Sequence, residues 1–124
     1  MSRPNGPLRI LVADDEPTIA DTLVLILQMK SYQAEAAYSA EQALEIAERL
    51  HPDILISDVM IGSMNGVELA TQFAQRWPHC SVLLISGHGG ASALLDQADK
   101  RGLKIAILAK PAHPLEILSF VAAV

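Results

Sequence analysis

Short aliphatic runs alternate along this chain with longer segments whose apolar residues recur every three or four positions. Leu8 to Ala13 reads as a buried strand, and Thr18 to Lys30 as a helix, because Ile19, Leu23 and Ile26 fall on one face. Gln33 to Ala37 is a weaker strand, short and polar enough for a sheet edge. Ser39 offers an N-cap and Gln42 the return half of a capping box, which opens a helix from Ala40 to Leu50. The pattern then repeats. Ile54 to Ser57 predicts a strand, and a loop with Gly62, Asn65 and Gly66 leads into a helix from Val67 to Trp77. Val82 to Ile85 is the most β-like run, followed by a turn with Gly87, Gly89 and Gly90 and a helix from Ala91 to about Arg101. Ile105 to Ala109 predicts the last strand, and Pro114 to Val124 a terminal helix opened by proline.

Five strand–helix pairs in succession predict an α/β domain with a parallel sheet, right-handed crossovers and helices on both faces. The domain is expected over residues 8–124, after a flexible lead-in of residues 1–7 that contains Pro4, Gly6 and Pro7. With 124 residues, the chain is one domain's worth of polypeptide, and a second, DNA-binding domain is not expected to fit in this length. Hydrophobic residues make up 51% but aromatics only 4%, so the core must be built from Ala, Val, Ile and Leu. That apolar content excludes a disordered chain, and the net charge of −5 argues against direct binding of nucleic-acid phosphate. Cys80 is the only cysteine and cannot form an internal disulfide. No N-terminal apolar segment resembles a signal peptide, and the uncharged stretch 77–95 is broken by Pro78 and glycines. A reducing, cytoplasmic setting is expected.

In a parallel sheet the carboxyl ends of all strands lie along one edge, where open α/β folds place their ligands. The first strand ends in Asp14, Asp15 and Glu16, the third in Asp58, the fourth in Ser86 and the fifth in Lys110. Each alone has an ordinary explanation: an acidic pair caps a helix, an aspartate or serine makes a turn, Lys-Pro is a loop. Together they bring three carboxylates, a hydroxyl and an ammonium to one edge. Such an excess of acid needs either protonation or a divalent cation, and oxygen-only donors favour Mg²⁺ over Zn²⁺. A carboxylate beside Mg²⁺ and a lysine can act as the nucleophile that forms an acyl phosphate.

The segment Val12-Ala13-Asp14-Asp15-Glu16, Asp58 eight residues before Gly66, Ser86 and Lys110-Pro111 resemble the response-regulator receiver family of two-component signalling, which includes the chemotaxis regulators. The resemblance spans residues 8–124. It implies a flavodoxin-like, doubly wound, five-stranded parallel sheet of order 2-1-3-4-5, the order that receivers illustrate. It implies a Mg²⁺-dependent signalling module of bacterial type, not a free-standing enzyme, that assists its own phosphorylation and dephosphorylation. Asp58 would accept a phosphoryl group from a sensor histidine kinase or phosphotransfer protein. Asp15, Asp58 and the Met60 carbonyl would ligate Mg²⁺, with Asp14 holding a metal-bound water. Lys110 and Ser86 would contact phosphoryl oxygens, and the Lys110–Pro111 bond would be cis. A downstream protein or output domain would dock on the face of the fourth helix, fifth strand and fifth helix.

Three positions depart from the family pattern. Gly62 stands where proline is usual, which is expected to loosen that loop. Ser86 replaces the commoner threonine. Ile107 stands where Tyr or Phe usually swings inward, and a β-branched residue cannot reproduce a ring's displacement. These leave a receiver-like scaffold with impaired switching as one alternative. Another is a phosphohydrolase with Asp14 as nucleophile, since Asp14-x-Glu16-x-Thr18 nearly matches a D-x-D-x-T pattern. A flavin carrier is disfavoured by three acids where a phosphate loop would sit. His88 is a candidate for controlling water access to the phosphoryl group, whereas His51, His79 and His113 have no metal-ligand spacing and are expected at the surface.

Overall fold

Buried side chains point to both faces of the long strands, so a helix layer covers each side of the sheet. Residues 6–62, 64–87, 91–103, 105–110 and 112–124 are described by a computed structural model. The elements run β1 (Arg9–Ala13), α1 (Pro17–Met29), β2 (Gln33–Ala37), α2 (Ala40–Leu50), β3 (Ile54–Asp58), β4 (Met60–Ile61) and β5 (Met64–Asn65). They continue with α3 (Gly66–Arg76), β6 (Ser81–Ser86), α4 (Ala91–Lys100), β7 (Ile105–Ala109) and α5 (Pro114–Ala123). The main sheet has order β2-β1-β3-β6-β7 with every pair parallel. This is the expected 2-1-3-4-5 once the small β4–β5 ladder is set aside, and β2 lies at an edge as its polarity predicted.

Alternation within the strands assigns the two cores. Leu11, Leu55 and Leu84 meet Ala43 and Ala47 of α2 and Leu69, Ala70 and Phe73 of α3. Ile10, Val12, Ile54, Ile56 and Leu83 meet Leu23 and Leu27 of α1 and Ile117 and Val121 of α5. Each fully buried Leu or Ile contributes about 1.5–3 kcal/mol, and together these fix the register. Small alanines on α2 let it sit close to the sheet. No helix among the described residues is long and apolar enough to cross a membrane.

Local chemistry sets the helix ends. Ser39 Oγ accepts the Gln42 N–H at 3.0 Å as expected, but the return bond is displaced. Gln42 Oε1 accepts from the Tyr38 N–H at 2.7 Å, so the box closes one residue before the cap. Pro114 occupies the first turn of α5, and His113, expected only as a surface residue, is its N-cap: Nδ1 accepts the Leu115 N–H at 3.0 Å. The region after Asp58 also differs from a plain loop. Met60 and Ile61 pair antiparallel with Asn65 and Met64, and the Asn65 side chain caps α3 by accepting the Val67 N–H at 2.7 Å. The expectations for residues 1–5 and for the turn at His88, Gly89 and Gly90 lie outside the described residues.

Candidate functional site

The parallel ladder delivers the strand-end residues to one edge. Ala13 is the last residue of β1, and the Asp14 N–H continues the ladder to the Ala37 carbonyl at 3.0 Å. Asp14 is buried, 7% exposed, and its Oδ1 accepts the Glu16 N–H at 2.9 Å. Asp15 is exposed and its Oδ2 accepts the Gly62 N–H at 3.1 Å. Asp58 ends β3 beside Ile85, and the Val59 N–H donates to the Ile85 carbonyl at 3.1 Å. Ser86 is buried at the end of β6, and its carbonyl accepts the Lys110 N–H at 2.7 Å, which fastens the lysine main chain next to it. Lys110 Nζ then donates to Asp58 Oδ2 at 2.7 Å, while Asp58 Oδ1 receives the Met60 N–H at 3.3 Å.

The charges feel one another. Burial raises the Asp14 pKa above its ordinary value; the Glu16 N–H and Lys110 oppose this, and the charges of Asp58 and Asp15 add to it. The Lys110 pKa is raised, chiefly by its hydrogen bond to Asp58 and with help from Asp14 and Glu16, against a smaller desolvation effect. One ammonium therefore serves several acids. Their oxygen-only chemistry fits a hard divalent cation, and Asp14 shows the surplus of negative charge such an ion would relieve. In the present arrangement each of Asp14, Asp15 and Asp58 accepts from an N–H or ammonium donor. Among the described residues no three His, Cys, Asp or Glu side chains converge as ready ligands.

Comparison with known proteins agrees with this geometry. Residues 10–122 match the response regulator receiver domain family. The chain belongs to that family. Among its relatives, response regulator GtcR of Aneurinibacillus migulanus is 32% identical over 89% of this chain and 44% of its own length. The alkaline phosphatase synthesis transcriptional regulatory protein PhoP of Bacillus subtilis is 30% identical over 94% and 48%. This receiver thus spans less than half the length of those relatives. The chemotaxis protein CheY4 of Vibrio cholerae shares the fold, with a TM-score of 0.86, 23% identity and coverage of 96% of this chain and 99% of its own. Receiver domains are regulatory modules of two-component systems, not stand-alone catalysts; as a family they use Mg²⁺ for phosphorylation and interact with sensor kinases.

Within this receiver, several features were not visible in residue types alone. A Cβ on Gly66 would lie 2.9 Å from the Asp58 carbonyl oxygen and 3.0 Å from Val59 Cα, so only glycine lets α3 start against the exit of β3. The Gly66 N–H also donates to the Val59 carbonyl. Ser57, buried in an otherwise aliphatic strand, donates from Oγ to the Asp58 carbonyl at 2.8 Å. The interruption of that aliphatic run by a hydroxyl was its only signal. Gly62, expected to loosen its loop, donates its N–H from the turn to Asp15. Met60, expected as a carbonyl ligand, shows its N–H toward Asp58 and leaves its side chain 52% exposed. Ile107 is half-buried and packs into the core on the α2–α3 side, opposite Leu84. The His88 and Pro111 expectations lie outside the described residues.

Proposed function

We propose that this receiver accepts a phosphoryl group on Asp58 from the phosphohistidine of a sensor kinase or phosphotransfer protein. A carboxylate oxygen of Asp58 attacks phosphorus, the P–N bond breaks, and the imidazole leaves with the electron pair and is then protonated by solvent. The product is an acyl phosphate on Asp58. The observation that carries this reading is the Lys110–Asp58 contact of 2.7 Å at a strand edge where Asp14 and Asp15 add further negative charge. Lys110 would follow the oxygens of the incoming group, and Ser86, whose carbonyl accepts the Lys110 N–H, would offer a hydroxyl. Asp14, Asp15, Asp58 and the Met60 carbonyl would hold Mg²⁺, which when bound supplies charge neutralisation at the phosphoryl oxygens.

Asp14 is a poor alternative nucleophile, because it is buried and its Oδ1 is engaged by Glu16. The phosphohydrolase reading therefore loses ground. The packing of Ile107 supports a different second reading, in which phosphorylation proceeds but the usual ring movement is replaced by a smaller shift of the β7 face. A downstream protein or output domain would then read the α4–β7–α5 surface, in a cytoplasmic setting. Incubation with acetyl phosphate and Mg²⁺, followed by intact mass and peptide mapping, tests the main reading. One phosphoryl group on Asp58, absent from Asp58→Asn, is expected; modification of Asp14, or modification that survives Asp58→Asn, overturns it. For Ile107, chemical shifts with a phosphoryl mimic should show muted changes in α4 and β7.

A further inference from the structure

The β4–β5 turn reaches the acidic cluster through a main-chain donor. The Gly62 N–H spans 47 residues of sequence to reach Asp15 Oδ2 at 3.1 Å. Gly62 has φ +62°, a left-handed conformation that strains any residue with a Cβ and that proline, locked near −65°, cannot adopt. Nothing lies within 4 Å of where its Cβ would be, so space does not require glycine here; the conformation favours it, and the donor excludes only proline. In the same arrangement no three acidic, His or Cys side chains among the described residues converge as ligands.

We propose that Gly62 is a positioning residue whose amide holds the Asp15 carboxylate in the ion-free receiver and competes with a divalent cation for that oxygen. This rests on the Mg²⁺ site of the reading above. Filling the site exchanges the Gly62–Asp15 hydrogen bond for an Asp15–cation contact. The turn after β4 is released in the same event. Ion affinity is lowered by the strength of the bond that must break, and the freed turn reports that the site is filled.

Titration of Mg²⁺ into the ¹⁵N-labelled chain tests this directly. Without the ion, the Gly62 amide should be shifted downfield and slow to exchange; on saturation it should move upfield and exchange faster. Gly62→Pro, which removes the donor, should bind Mg²⁺ about tenfold more tightly, the lower range for a hydrogen bond to a charged group. Gly62→Ala keeps the N–H but strains φ, and should fall between the two. It also serves, with the wild-type amide, if the proline variant does not fold. An unresponsive Gly62 amide, or equal or weaker Mg²⁺ binding in the variants, overturns the proposal. Phosphorylation of Asp58 with an unresponsive Gly62 sinks the latch and leaves the phosphoacceptor reading standing. A wild-type chain that binds no Mg²⁺ removes the site reading and the latch together.

Discussion

At the amino edge of the sheet Asp53 binds the Arg9 main chain, whereas at the carboxyl edge the charges of Asp58 and Asp14 act on the single ammonium of Lys110. Asp53 Oδ2 accepts the Arg9 N–H at 2.8 Å and lies 4.0 Å from Arg9 Nε; the Asp53 N–H donates to the Arg9 carbonyl at 2.7 Å. The Asp53 carbonyl takes the Ser81 N–H at 2.9 Å, so one residue links three strands. Nearby, burial first and Asp53 second push the Cys80 thiol up to about 12, which keeps it an inert packing group. Both edges carry charge, and both carry main-chain bonds. The difference is use: at the amino edge the Asp53 carboxylate accepts a main-chain N–H that links strands, and at the carboxyl edge negative charge is in surplus. Surplus negative charge is what a cation can use.

The comparison breaks most severely at Gly66. Gly66→Val would drive a side chain into the Asp58 carbonyl and should cost about 2–4 kcal/mol, read as a lowered denaturation midpoint, together with slower phosphorylation. A midpoint within error of wild type would show that α3 can move away freely. Next comes a pair of aspartates. Asp53→Ala should cost roughly 1–3 kcal/mol by stranding the Arg9 N–H while leaving Asp58 reactive to acetyl phosphate. Asp58→Asn should abolish phosphorylation and change stability by less than about 1 kcal/mol, because its Lys110 partner is 40% exposed. If both substitutions affected stability and chemistry alike, the contrast between the edges would be lost.

The smallest effect is expected at Asp14. Its folded-state pKa is raised, first by burial and then by Asp58 and Asp15, so the ionised form is penalised on folding. That penalty is absent below the ordinary carboxylate range, near 3.9, grows as pH rises toward the folded value, and is complete above it. Asp14→Asn keeps an acceptor for the Glu16 N–H without the charge. It should therefore raise the melting temperature by a few degrees at pH 7 and leave it nearly unchanged at pH 3. An equal gain at both pH values would assign the effect to packing.

Most of the sheet was readable because strands buried on both faces must be aliphatic: Leu8 to Ala13, Ile54 to Ser57 and Val82 to Ile85 each fall within one residue of the observed strand at either end. Strand order came from the family resemblance, since periodicity does not say which strands are neighbours. Residue types at strand ends brought Asp14, Asp58, Ser86 and Lys110 into one neighbourhood. What escaped was carried by the main chain. Two-residue strands such as Met60–Ile61 have no periodicity to detect, and the Gly62 amide that engages Asp15 leaves no mark in the choice of side chain. The displaced Gln42 bond and the His113 cap depend likewise on local backbone geometry, with more than one residue able to supply the acceptor.

The sheet's connectivity also governs when the site comes into being. Asp58 and Lys110 lie 52 residues apart, and β1 finds β3 across the whole of α1, β2 and α2. Closing such long loops precedes the reward of their contacts, so a sheet of this kind assembles late and as a whole. A chain still emerging from the ribosome, before its fifth long strand has arrived, has Asp58 but no ammonium beside it. On the reading proposed above, chemical competence would come only with completed synthesis and folding.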